Sequence, residues 1–412
     1  MAHIIPFKAV RPTRDKVSLV AARPYQSYTL EQRGSRLRDN PFSFLQIVNP
    51  GYKYDKQLSG EARYNLVRNR YLEFKEEAIF VQDDKPCYYV YQITDREHQV
   101  FNGIIAAASA ADYENDVIKK HEDTIEFKEV IFKDHLKTVG FNAEPVLLTY
   151  PDNEIIDQVV KQIQKDRAEF EFTTTYKDTH LLWKVEDDEQ LKKIAHEFQQ
   201  MKTIYIADGH HRSASAYLLY KELKDSNPEH SGNESYNFFM SYLIPESNLK
   251  IHEFNRLIKD LNGLTKEDFL MQLDMLYRIE NRGQLPYKPT KTHHFCMYLD
   301  GEFYSLYLRK TSYEMKTSLD ALDTQILYKT ILAPILGIHD LRNDERISYI
   351  NGKKDIVSLK TSVDSGNYRI GFSMVSVFIE EMKSIADDGL KMPPKSTFIE
   401  PKLRSGVTIY EF

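Results

Sequence analysis

Cysteine is scarce: the 412-residue chain has two. Cys87 and Cys296 show neither a C-x-x-C pair nor a Cys/His ligand spacing, which excludes a disulfide framework and a structural zinc site and fits a reducing cytosol. No basic run of the kind that follows a phosphate backbone occurs, and 55 Lys and Arg are outnumbered by 61 Asp and Glu for a net charge of −6, so nucleic acid is not an expected partner. No apolar stretch approaches the roughly 18 residues a membrane span needs; the longest, at 103–111 and 331–338, suit a core. Neither G-x-x-x-x-G-K-[ST] nor G-x-G-x-x-G is present, which removes Walker-type kinase chemistry and the Rossmann dinucleotide loop. Internal repeats, low-complexity tracts and a recognisable helix-turn-helix are also missing. Tryptophan occurs once, against 27 Tyr and 22 Phe, a balance that suits strand-rich cores and polar-rimmed pockets.

What is present is a globular composition, with 42% hydrophobic and 28% charged residues. Single cores stop growing at about 250 to 300 residues, so two domains, or one with a large insertion, are expected. Residues 1–55 carry Pro6, Pro12, Pro24, Pro41 and Pro50 and read as short strands and turns. Helical spacing marks 60–80, 122–138, 153–167, 188–200 and 320–336. β-Branched and aromatic runs predict a hairpin from 87–94 and 100–107, strands at 144–150, 170–176, 180–185 and 236–244, and a hairpin from 294–299 and 302–309 around a type I′ Asp300-Gly301 turn. Residues 389–412 read as a proline-fixed loop. Strands and helices mix without strict alternation, so the fold class is α+β.

The informative unit is an apolar strand at 203–207, a tight loop, and a helix running from Arg212 to about Leu223. The loop reads A-D-G-H-H-R from Ala207 to Arg212. A helix start offers unpaired N–H groups and the positive end of its dipole, which favour an anion. Gly209 permits close backbone approach. Arg212 adds a planar fork for phosphate, His210 and His211 can donate to phosphate or move protons, and Asp208 can orient an imidazole or bind a metal. The plainer alternative is a turn and N-cap with a solvated histidine pair.

With its surroundings, I-A-D-G-H-H-R-S-A-S-A resembles the signature of the bacterial family called domain of unknown function 1015. The likeness runs nearly end to end, through A-A-R-P-Y at Ala21, N-P-F-S-F-L at Asn40, K-H-E-D-T at Lys120, N-A-E-P-V at Asn142 and M-P-P-K-S-T-F at Met392. The loop is also similar to those of the ParB/sulfiredoxin superfamily and of the archaeal ADP-dependent free-serine kinases. This resemblance implies a ParB/sulfiredoxin-like catalytic region over 1–260, with an insertion at about 56–140, and a C-terminal α+β region over 261–412. Sulfinate reduction is removed, because His210 stands where sulfiredoxins place their cysteine. Relatives usually carry an acid after the Pro-Tyr pair, where this chain has Tyr25 and then Gln26, and glutamine cannot take a proton.

The resulting expectation is a cytosolic enzyme for a small-molecule phosphate ligand, moving a phosphoryl group between serine or phosphoserine and a nucleotide or water. His211, His210 and Asp208 are the expected catalytic residues. Gly209, Arg212, Lys120, Lys395 and Ser396 are expected to hold phosphate or an ADP-like nucleotide, with Mg²⁺ as a candidate cofactor. Tyr25, Gln26, His121 and Glu122 are the expected substrate contacts. Two rivals stand beside it: a nucleotide-binding regulator with little turnover, and a metal-dependent phosphohydrolase using Asp208, His210 and Glu122.

Overall fold

Tyr88–Thr94 and Val100–Ser109 pair antiparallel, with the Asp95 carboxylate accepting the N–H groups of Glu97 and Gln99 to close the turn. In the computed structural model, which describes residues 1–412, this hairpin lies in the middle of a nine-stranded sheet. The strand order is Ile118–Lys119, Ile204–Asp208, Val146–Tyr150, Phe238–Pro245, Val100–Ser109, Tyr88–Thr94, Thr179–Val185 and Phe170–Thr173, with Ile4–Ile5 added beside Val100–Ser109. The sheet is mixed: Val146–Tyr150 runs antiparallel to Ile204–Asp208 and parallel to Phe238–Pro245. The stretch 56–140, expected as an insertion, is integral to this sheet. It supplies the sheet's central hairpin, whose Val90, Ile104 and Ala106 sit in the main core.

These elements form a first unit of Met1–Lys119, Thr124–Leu249 and Pro401–Phe412. Its apolar-striped helices Glu154–Ile163 and Asp188–Gln200 bury Ile156, Val160, Ile194 and Phe198 in that core. A smaller cluster gathers Leu37, Leu45, Tyr64, Val67, Tyr71 and Ile409. The irregular reading of 1–55 misses the helix Leu30–Asp39, which a Thr29/Gln32 capping box starts; the box repairs two orphan N–H groups without any apolar periodicity to advertise it.

The second unit comprises Lys120–Asp123 and Lys250–Glu400. Its six-stranded sheet is antiparallel throughout, in the order Tyr277–Gly283, Glu302–Leu308, His294–Leu299, Ile370–Ser373, Phe254–Ile258 and Ile347–Asn351. Successive side chains of a strand face opposite ways. Phe295, Met297 and Leu299 accordingly enter one core with Phe269 and Leu273, while Cys296 and Tyr298 enter another with Leu359 and Val363. Asp300 and Gly301 both take positive φ, as the type I′ turn requires. The helix read over 320–336 is an α-helical turn, Asp323–Leu327, running into a π-helical turn, Tyr328–Leu332. The C-terminal stretch is less irregular than its prolines suggest: Phe398–Glu400 pairs with Lys250–His252 in this unit, and Tyr410–Glu411 pairs with Phe141–Asn142 in the first. No helix is long and apolar enough to cross a membrane.

Candidate functional site

The strand Ile204–Asp208 is apolar and buried until its last residue. Its register against Val146–Tyr150 shifts between Ile206 and Asp208, and such a bulge re-aims the side chains that follow. Gly209 then takes φ 105°, the left-handed conformation, and caps a 17-residue helix, His210–Ser226. The helix opens at His210, two residues earlier than the sequence suggests, so both histidines lie within its first turn. Its cap residue, a glycine, offers no side chain to the helix start, where the positive end of the dipole favours an anion. Buried Ser213, Ala214, Ser215 and Ala216 follow, and these small residues let the helix pack closely. Ser215 Oγ donates to His211 O at 2.6 Å.

Two cations meet the loop. The Arg212 side chain folds back on its own turn, so that a Cβ at Gly209 would stand 3.0 Å from Nη2. Its guanidinium donates to the Pro145 carbonyl and lies 3.8 Å from Asp208 Oδ2. Lys402 brings its ammonium to 3.2 Å from the same oxygen. Burial alone would raise the Asp208 pKa, but Lys402, Arg212 and His210 outweigh it and hold the carboxyl below its ordinary range. Pro24, Glu144, Asp208, Arg212, Lys402 and Leu403 line a cleft of about 30 Å³, room for about one water. The backbones of Ala22 and Ser405 bridge antiparallel, with N–H to O distances of 3.2 and 2.8 Å, and this places 24 and 403 side by side. Glu144 accepts the Ser405 hydroxyl at 2.7 Å.

Of the residues expected from sequence, Asp208, Gly209 and Arg212 share this loop with His210, which is 5% exposed, and the half-buried His211. The His211 ring stands edge-on to Phe132 at 6.4 Å. Tyr25 and Gln26 follow the cleft's Pro24 on a 3₁₀ turn, Tyr25–Ser27, with Gln26 exposed and Tyr25 under the Arg33 guanidinium at 3.7 Å. Lys120, His121, Glu122, Lys395 and Ser396 belong to the second unit. There, Lys391 Nζ donates to Lys120 O at 2.9 Å and Met392 N to His121 O at 2.8 Å, which joins the K-H-E-D-T and M-P-P-K-S-T-F segments. Ser396 is fully buried, and its hydroxyl is engaged by Pro393 O at 2.7 Å and Thr324 Oγ1 at 2.9 Å. Lys395 has a positive φ and extends its ammonium over the Phe254 ring at 5.4 Å. Sequence reasoning missed Lys402 and Glu144; the only signal for the first was the basic alternation of P-K-L-R at 401–404.

The model of the family described as "Protein of unknown function (DUF1015)" matches residues 4–325. The chain belongs to the DUF1015 family. No curated protein matches this DUF1015 chain. Among solved structures, it is similar to a free serine kinase in complex with AMP, at 11% identity and a TM-score of 0.33 over 74% of this chain and 91% of that one. A conserved hypothetical protein from Pyrococcus furiosus gives 11% and 0.34 over 74% and 93%. SbnI with a C-terminal truncation, from Staphylococcus aureus, gives 12% and 0.38 over 74% and 85%.

Proposed function

We propose that this DUF1015 chain moves a phosphoryl group on a small molecule, with serine or phosphoserine as substrate and a nucleotide or water as the other party. The observation that supports it is the meeting, at one helix start, of Gly209 in the left-handed conformation, the Arg212 guanidinium and the Lys402 ammonium. Phosphoryl transfer asks mainly for positioning and charge stabilisation, and backbone N–H groups with two cations supply both. Because the cleft holds about 30 Å³, a phosphate enters as Arg212 leaves Pro145 O and turns its fork outward. In the kinase direction the serine oxygen forms the new bond to phosphorus and the bridging P–O bond of ADP breaks. AMP leaves with that electron pair, and His211 takes the hydroxyl proton.

A metal held by Asp208 does not fit this cleft, since Asp208 is met by Lys402 and Glu144 by the Ser405 hydroxyl. The second reading, a nucleotide-binding regulator, draws its support from Gln26, which cannot act as a base.

Incubating the purified chain with serine and ADP, and with phosphoserine with and without AMP, each with and without Mg²⁺, tests the proposal. Formation of phosphoserine, or release of serine, is expected. Nucleotide binding without either product would favour the regulator, and neither binding nor turnover of any pair would sink the serine assignment.

A further inference from the structure

Beside the cleft lies a group of cations that the loop chemistry does not use. The Tyr176 ring is surrounded by three guanidinium groups, those of Arg23 at 4.2 Å, Arg36 at 5.7 Å and Arg404 at 5.7 Å from its centroid. Arg23 and Arg36 also share the Tyr28 ring, at 4.6 and 5.5 Å, and Arg33 lies over Tyr25. Aromatic faces attract guanidinium groups, but they carry no charge with which to offset the repulsion among four cations. One carboxylate does so: Asp178 Oδ2 accepts from Arg404 Nη2 at 2.6 Å. Arg23, Arg33 and Arg36 have neutral partners only, the Ser27 carbonyl, the Tyr28 carbonyl and the Thr175 hydroxyl.

The guanidinium groups are also short of acceptors. The Nε–H groups of Arg23, Arg33 and Arg404 are buried with no hydrogen-bond partner, and Arg404 is 6% exposed as a residue. An unpartnered buried donor is costly and rare in folded proteins, and three in one cluster with surplus positive charge suit an anionic acceptor. Nε with a neighbouring Nη forms the planar fork that takes a carboxylate or phosphate by two hydrogen bonds. A guanidinium whose face meets an aromatic ring makes its hydrogen bonds along its edge, so an anion reaches these buried Nε–H groups as the side chains of the cluster shift. Arg23 and Arg404 immediately flank Pro24 and Leu403, both of which line the Asp208–Arg212 cleft.

The geometry points to a second anion subsite built from Arg23, Arg33, Arg36 and Arg404, which receives a carboxylate or phosphate group on the same molecule whose phosphate meets the Asp208–Arg212 loop. The ligand class is then a small molecule with two anionic ends. That identity rests on the proposed phosphoryl-transfer reading; the anion affinity of the cluster does not.

Inorganic phosphate is the first probe, followed by calorimetry in the wild type, in an Arg23→Gln/Arg36→Gln double variant and in Arg212→Gln. Two phosphates are expected on the wild type, with the double variant losing affinity for one by about tenfold or more and Arg212→Gln losing the other. Independently of any substitution, phosphate should protect Arg23 and Arg36 of the wild type from phenylglyoxal. Undiminished binding by a folded double variant, or no protection in the wild type, overturns the inference. If Arg212→Gln keeps both phosphates while the double variant loses one, the proposed function falls and this subsite stands. Phosphoserine and phosphoethanolamine then separate the two anions. A loss confined to phosphoserine in the double variant assigns a carboxylate, an equal loss assigns a phosphate, and no loss with either overturns the subsite.

Discussion

The Lys402 ammonium stands 3.2 Å from Asp208 Oδ2, although the whole Lys250–Glu400 segment of the second unit intervenes in the sequence. A carboxylate at the end of a strand is thereby kept ionised by a cation from the chain's last stretch, and the same cation faces the space where an anion would approach the helix start. Lys402 thus serves the fold and the site through one atom.

Replacing Lys402 with Met removes the leading charge that lowers the Asp208 pKa. A carboxyl with a depressed folded pKa contributes above its ordinary value of about 3.9 and loses that contribution as the pH falls through the depressed one. In Lys402→Met the carboxyl should therefore protonate at higher pH than in the wild type, and phosphate binding should weaken at neutral pH. A carboxyl NMR titration together with phosphate calorimetry checks both; an unmoved Asp208 titration would show that Arg212 and His210 suffice.

Gly209→Ala places a Cβ in a left-handed backbone and 3.0 Å from the Arg212 side chain. The conformational penalty alone is about 1 to 2 kcal/mol, and displacing Arg212 from Pro145 O adds to it. Urea unfolding should reveal a loss of at least that size, accompanied by weaker phosphate binding.

Arg212 and His211 should separate binding from chemistry. Arg212→Ala should weaken phosphate-ligand binding by about 1.5 to 3 kcal/mol, the range for hydrogen bonds to charged groups. His211→Ala should lower turnover by about 10² to 10⁴ with binding largely intact. Loss of binding in both variants, with no change in any rate, is the regulator's signature instead.

Gln26 is exposed on the turn that follows Pro24, so Gln26→Glu should fold normally. If relatives use an acid there to accept the serine proton, the substitution should raise serine-dependent turnover. Steady-state rates at several pH values decide it, and a flat response would detach this position from the chemistry.

Much of the fold was legible wherever local periodicity and tertiary packing agree. The helix Asp188–Gln200 and the hairpin at Asp300-Gly301 follow from apolar spacing and turn chemistry within a few residues. The turn at 208–209 was legible too, since a glycine between a buried strand and a helix supplies the left-handed conformation the chain takes there, although the helix begins at His210 and not at Arg212. The centrality of 88–109 was not, because a run such as C-Y-Y-V-Y-Q-I-T reports burial and not which strands lie beside it. Lys402 and Glu144 were illegible for a related reason: each reaches the cleft through long-range pairings, Ala22 with Ser405 and Ile206 with Leu148, that no local pattern encodes. Ser396 shows the converse, a residue whose motif suggests ligand contact and whose hydroxyl is engaged by Thr324 and Pro393.

The late return of Pro401–Phe412 to the first unit has a consequence for biosynthesis. Domains generally fold as the ribosome delivers them, N-terminal part first, yet here the sheet, the loop and the helix His210–Ser226 emerge long before Lys402, Leu403 and Arg404. A nascent chain that has finished residue 249 possesses Asp208 and Arg212 without the cation that balances the first, and Tyr176 without the third guanidinium that surrounds it. Translation must run through the entire second unit before the cleft acquires its full charge, so the site cannot be complete before Lys402 and Arg404 have been added to the chain.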